Sequence, residues 1–98
     1  MNIYENQVNL EGRRASSISV STSAASEFIL EPGVYAVWAD VDTHIAVNVD
    51  DTVAETVTTS NGFPITANSS VIPVRITRPS FLAGIAGSSG TLYYHQVS

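Results

Sequence analysis

Apolar and polar residues alternate with period two along most of this chain, the signature of half-buried strands. In Ser17–Thr22, Ile18 and Val20 point one way and serines separate them. In Ser26–Leu30, Phe28 and Leu30 share a face. Val34–Asp40 is apolar on both faces, Tyr35, Val37 and Ala39 on one and Val34, Ala36 and Trp38 on the other. That pattern predicts a central strand. In His44–Val49 the alternation sends Ile45, Val47 and Val49 inward and His44, Ala46 and Asn48 outward. Phe63–Ala67 carries Pro64, which suits an edge. Val71–Ile76 places Ile72, Val74 and Ile76 on one face and is interrupted by Pro73. Phe81–Ala86 and Thr91–Gln96, joined by Gly87-Ser88-Ser89-Gly90, read as a hairpin.

The intervening segments are turns. In Glu31-Pro32-Gly33, proline presets φ and glycine allows a positive one. The polar, Thr-rich stretch 50–62 ends in Asn61-Gly62, and Val53, Ala54 and Val57 fit one helical turn within it. Seven or eight short strands at roughly 8–12-residue spacing predict an all-β domain. The expected fold is a single small β-sandwich or jelly-roll-like barrel over residues 15–98. Residues 1–14, which lack a sustained period, form an N-terminal arm or an edge strand, with a frayed terminus as the alternative.

Composition strengthens the fold reading. Val, Ile and Thr account for 29 of 98 residues, while Leu numbers four and Lys is absent. β-Branched side chains suit a pleated surface better than a helix. The chain has no cysteine, so disulfides and thiolate metal sites are excluded. Nine acidic residues against four arginines give a net charge of −5. Such a balance argues against nucleic acid, which needs a stripe of cations, and against an anionic membrane surface. No apolar run approaches the roughly 20 residues of a membrane helix, and the start of the chain lacks the apolar core of a secretory signal. Charged residues are only 13% of the chain, so much of the surface can pack against another protein with little charge desolvation.

No set of residues supports catalysis, a metal or a cofactor. Gly87-Ser88-Ser89-Gly90 lacks the spacing and the strand-to-helix setting of a nucleophile elbow. His44 and His95 have no partner at ligand spacing. Asp40 and Asp42 begin like a calcium loop, but the glycine and distal glutamate are missing, and Asp50 and Asp51 lie at the far end of the strand. Tyr35, Trp38, Tyr93 and Tyr94 are candidates for a sugar-stacking platform, although alternation splits Tyr35 from Trp38 and Tyr93 from Tyr94. Arg13, Arg14, Arg75 and Arg78 are the only cations, available for interface or local ion pairs.

Three stretches carry a resemblance. They are Leu30-Glu31-Pro32-Gly33-Val34-Tyr35, the run Trp38 to Val47, and the run Phe81 to Tyr93 through Gly87-Ser88-Ser89-Gly90-Thr91-Leu92. Over residues 26–96 the chain resembles small all-β virion proteins of tailed bacteriophages, particularly capsid decoration or cement proteins. The resemblance implies a non-enzymatic protein on the outer face of an icosahedral capsid, bridging major capsid subunits, commonly as a homotrimer. No catalytic or contact residue carries over from it. The arm residues Ile3, Tyr4, Val8, Leu10, Arg13 and Arg14 are the expected partner contacts, since ten extended residues span about 33 Å. The alternatives are a head-closure, tail or fibre-base component of a virion, or a carbohydrate-binding β-sandwich module.

Overall fold

A computed structural model describes residues 16–69 and 71–98. Within them lie eight strands: β1 (Ser16–Val20), β2 (Ala25–Ile29), β3 (Gly33–Ala39), β4 (Thr43–Asn48), β5 (Phe63–Ile65), β6 (Ile72–Ile76), β7 (Ser80–Ala86) and β8 (Gly90–Gln96). A single helical turn, α1 (Val53–Thr56), interrupts the series between β4 and β5. The strands form two four-stranded sheets, ordered β1-β8-β3-β6 and β2-β7-β4-β5, and every ladder is antiparallel.

These two orders have one origin. β1 pairs with β8, β2 with β7, β3 with β6 and β4 with β5, as if one long hairpin with its tip at β4–β5 had been laid out flat. Rolling that hairpin adds the β3–β8 and β4–β7 ladders and splits it into two facing sheets. The product is a jelly roll, an all-β sandwich of eight strands. Period-two patterning is what permits it, because each strand must offer one apolar face to the space between the sheets.

The roll corrects the reading of the C-terminal third. Phe81–Ala86 and Thr91–Gln96 are both strands, but they do not pair; β7 and β8 lie in opposite sheets. Gly87, Ser88 and Ser89 carry the chain across. Three extended residues cover about 10 Å, the usual separation of packed sheets. A tight glycine-rich link therefore serves a sheet crossing as readily as a hairpin.

The core lies between the sheets. Ile18, Val20, Tyr35, Val37, Ala39, Ile76 and Leu92 from the first sheet meet Ile29, Ile45, Ile65, Leu82 and Ala86 from the second. β3 is central, as its two apolar faces predict: Tyr35, Val37 and Ala39 face the core, and Ala36 is buried on the opposite side. The sheets approach closely at Gly84, where a Cβ would stand 3.0 Å from Leu92 and 3.1 Å from Val20. A second, smaller cluster sits outside the sandwich. Val53 and Val57 of the α1 region pack on Ala83, with Ala46, Phe81 and Ile85 around them. The helical turn expected near Val53 is thus present, and its purpose is to cover the outer face of β7.

Two alternation readings change. Phe28 and Leu30 do share a face, but it is the outer one, and Ile29 is the buried residue of β2. Val47 and Val49 do not enter the core; they are 38% and 52% exposed. β4 ends at Asn48, so its last apolar positions run past the edge of the packed interior.

Leu92 is fully buried where the sheets are closest. Leu92→Ala is expected to lower unfolding stability by about 2–5 kcal/mol, read as a lower denaturation midpoint with an unchanged urea m-value.

Candidate interaction surface

The six arm residues expected to make partner contacts, Ile3, Tyr4, Val8, Leu10, Arg13 and Arg14, lie outside the described residues. The described domain offers two surfaces of its own. One is apolar. On the side where β5 edges one sheet and β6 edges the other, Ile45, Ala46, Val47, Phe63, Ile72, Pro73 and Val74 line a groove of about 240 Å³. No charged residue lines it. Phe63, on the lip of the groove, is 58% exposed.

Local sequence explains this surface. β5 is only three residues long and contains Pro64; β6 contains Pro73. A proline has no N–H to offer an incoming strand, so both edges resist strand addition. Phe63 pairs with Ile45 and Ile72 with Val37 in the ladders, which fixes the two lips of the groove. A neighbour seated here would therefore meet side chains and not a continued sheet.

The second surface lies at the β1–β2 side. Ser16, Phe28, Leu30, Glu31, Tyr35, Tyr94 and Gln96 contribute to an open cleft of about 430 Å³. Tyr35 and Tyr94 are neighbours, with ring centroids 6.3 Å apart. The Tyr35 hydroxyl donates to the Glu31 carbonyl oxygen at 2.6 Å and so ties the β2–β3 turn to the cleft. Gly33 in this turn has φ of 154°, and a Cβ there would collide with the Ser98 carbonyl. The Gln96 amide donates to the Pro32 carbonyl oxygen at 3.2 Å, closing the turn from the other side. Burial, then the charge of Glu31, then Tyr94, push the Tyr35 phenol above its ordinary value. Burial also raises Tyr94; a hydrogen bond with Ser16 opposes this and the charge of Glu27 adds to it.

Of the remaining candidates, His95 lines the same cleft and the others fall elsewhere. Asp40 accepts the Thr91 N–H at 2.7 Å, and Asp42 accepts the Ala67 N–H at 2.8 Å. Asp50 accepts the Thr52 N–H at 3.0 Å, the largest cause of its lowered pKa. Each of these carboxylates clasps a turn, and no metal-holding group of three His, Asp or Glu occurs among the described residues. Trp38 stacks on Tyr93 across the β3–β8 ladder, with centroids 5.5 Å apart and planes 15° from parallel. Alternation separates Tyr35 from Trp38, as expected, yet the β3–β8 ladder pairs Trp38 with Tyr93 outside and sets Tyr35 diagonally beside Tyr94 inside. His44 is half-buried beneath the turn at Gly62. His95 is 3% exposed beside Ala36, and neither ring nitrogen has a hydrogen-bond partner. Arg75 and Arg78 are exposed.

The raised phenols carry a pH signature. Tyr35 and Tyr94 ionise later in the folded chain than in the unfolded one, so their contribution is intact below about pH 10 and fades as pH rises through the folded values. Melting temperatures taken from about pH 8 to pH 11 are expected to fall at the alkaline end, and less steeply in the Tyr94→Phe variant. Among known proteins, no family model, no curated relative and no solved structure matches the chain.

Proposed function

We propose that this protein is a non-enzymatic structural component of a virion, decorating the outer face of an icosahedral capsid by bridging major capsid subunits, as a homotrimer. The observation that carries the reading is the uncharged groove at β4–β5–β6, with Phe63 exposed on it and a proline in each edge strand. A bridging protein needs a desolvatable patch that packs against a neighbour without polymerising strand upon strand. The jelly roll supports the reading by analogy alone, since that architecture serves capsid and lectin domains alike. Binding at many equivalent sites on a closed shell gives retention through effective concentration, so each contact can be modest. The arm residues Ile3, Tyr4, Val8, Leu10, Arg13 and Arg14 are proposed as additional contacts.

A carbohydrate-binding module is the second reading, favoured by the Trp38–Tyr93 stack on the outer face of the first sheet. It calls for a change in Trp38 fluorescence on titration with polysaccharide.

Co-sedimentation with expanded phage heads stripped of their decoration proteins tests the first reading. Phe63→Asp is expected to lower retention more than about tenfold, the scale of a lost interfacial anchor, with an unchanged circular dichroism spectrum. Failure of the unaltered protein to sediment with any such head, or equal retention of the Phe63→Asp variant, would overturn it.

A further inference from the structure

We infer that the outer face of the first sheet, around Ala36, Trp38, Tyr93 and His95, is the docking site for residues 1–15 of the same chain. The β3–β8 ladder pairs Ala36 with His95 and Trp38 with Tyr93, and alternation turns all four away from the core. Their burial is unlike that of an open sheet face. His95 is 3% exposed and Ala36 5%, while Trp38 and Tyr93 are half-buried. On the flanking strands of the same face, Ser17, Ser19, Pro73 and Arg75 are exposed. No described helix or strand lies over this face; the helical turn α1 packs on β7 of the other sheet. Among the described residues, neither ring nitrogen of His95 has a hydrogen-bond partner. A buried imidazole needs one, so its cover must bring polar groups as well as apolar ones.

Register and length identify the occupant. Ser16 pairs with Tyr94, so the chain before Ser16 enters β1 level with His95. Residues 1–15 therefore meet the face at the point that most needs a cover. Extended chain advances roughly 3.3 Å per residue and four strands are about 14 Å across, so a third of these residues is enough to cross the sheet. The exposure of Ser17 and Ser19 sets the path across β8 and β3 and not along β1. Ile3, Tyr4, Val8 and Leu10 supply apolar surface for the Trp38–Tyr93 stack. The side-chain amides of Asn2, Asn6, Gln7 and Asn9 supply donors and acceptors for His95. This inference does not rest on the capsid reading. It gives these residues a seat on their own domain, which they must leave to reach a capsid neighbour.

The test exploits the absence of cysteine, because Glu5→Cys in the full chain takes a single nitroxide spin label. Paramagnetic broadening is expected to be strongest at the amide signals of Ala36, Trp38, Tyr93 and His95. It is expected to be weakest at those of Ala46 and Val53, on the far side of the other sheet. Adding Val8→Asp and Leu10→Asp to the labelled chain is expected to abolish the broadening at Trp38, with an unchanged circular dichroism spectrum. Broadening spread evenly over the domain, broadening strongest around Phe63 in the β4–β5–β6 groove, or full retention in the aspartate variant would overturn the inference. A mixture of spin-labelled chain and isotope-labelled chain separates the two possible sources of the segment. Broadening at Trp38 and His95 in that mixture would give the seat to a second copy and overturn docking within one chain.

Discussion

The pairing of β8 between β1 and β3 is the constraint from which the rest of the molecule follows. β8 occupies an inner position of one sheet although it is the last strand in order, and β7 does the same in the other sheet. Their separation into facing layers is what makes a closed interior. Leu92 of β8 and Leu82 of β7 are both fully buried, and Gly84 supplies the gap that lets the layers approach. The Asp40 carboxylate, by accepting the Thr91 N–H, pins the start of β8 to the end of β3. A chain that paired β7 with β8 directly would leave β1 and β2 without partners.

The same roll decides which edges remain. Each four-stranded sheet ends in one early and one middle strand, and the two middle strands, β5 and β6, are short and broken by proline. Apolar residues beside them have nothing to pair with and little to pack on. Their exposure is a cost in an isolated domain and an asset in an assembled one. At the opposite side β1 and β2 leave an opening lined by Glu31, His95 and aromatic rings. The two sides thus differ in chemistry, one lined by apolar residues alone and one mixing a carboxylate, an imidazole and phenols.

Much of the fold was legible in the chain. β-Branched composition, alternation and turn dipeptides gave the eight strands, the central place of β3, the edge place of β5 and the helical turn at Val53. Topology was not legible, because Gly87-Ser88-Ser89-Gly90 is compatible with a return within a sheet or a step between sheets. Alternation also says which residues share a face without saying what the face meets. Phe28 and Val47 illustrate this, since both obey the period and neither reaches the core. The groove is not legible in the chain, because Phe63 and Ile72 each sit in an ordinary strand pattern. The signal available was an apolar residue beside proline in two separate short strands, at Phe63-Pro64 and Ile72-Pro73. The spacing of the aspartates raises a cation question, but the roles of Asp40 and Asp42 rest on distant backbone donors, the N–H groups of Thr91 and Ala67, which no spacing reveals.

The nested pairing also bears on how the chain is made. On a ribosome, strands emerge in order, and β1, β2 and β3 must each wait for a partner from the far half of the sequence. Only β4 and β5 find each other early. Neither sheet has both of its inner strands until β7 and β8 have left the exit tunnel, so the nascent domain spends most of its synthesis as largely unpaired, β-prone chain. Such long-range closure slows folding and prolongs exposure of sticky segments. The serines that punctuate β1 and the stretch after it, and the prolines of β5 and β6, then act as safeguards during translation, keeping emerging strands from joining those of neighbouring chains before their own partners arrive.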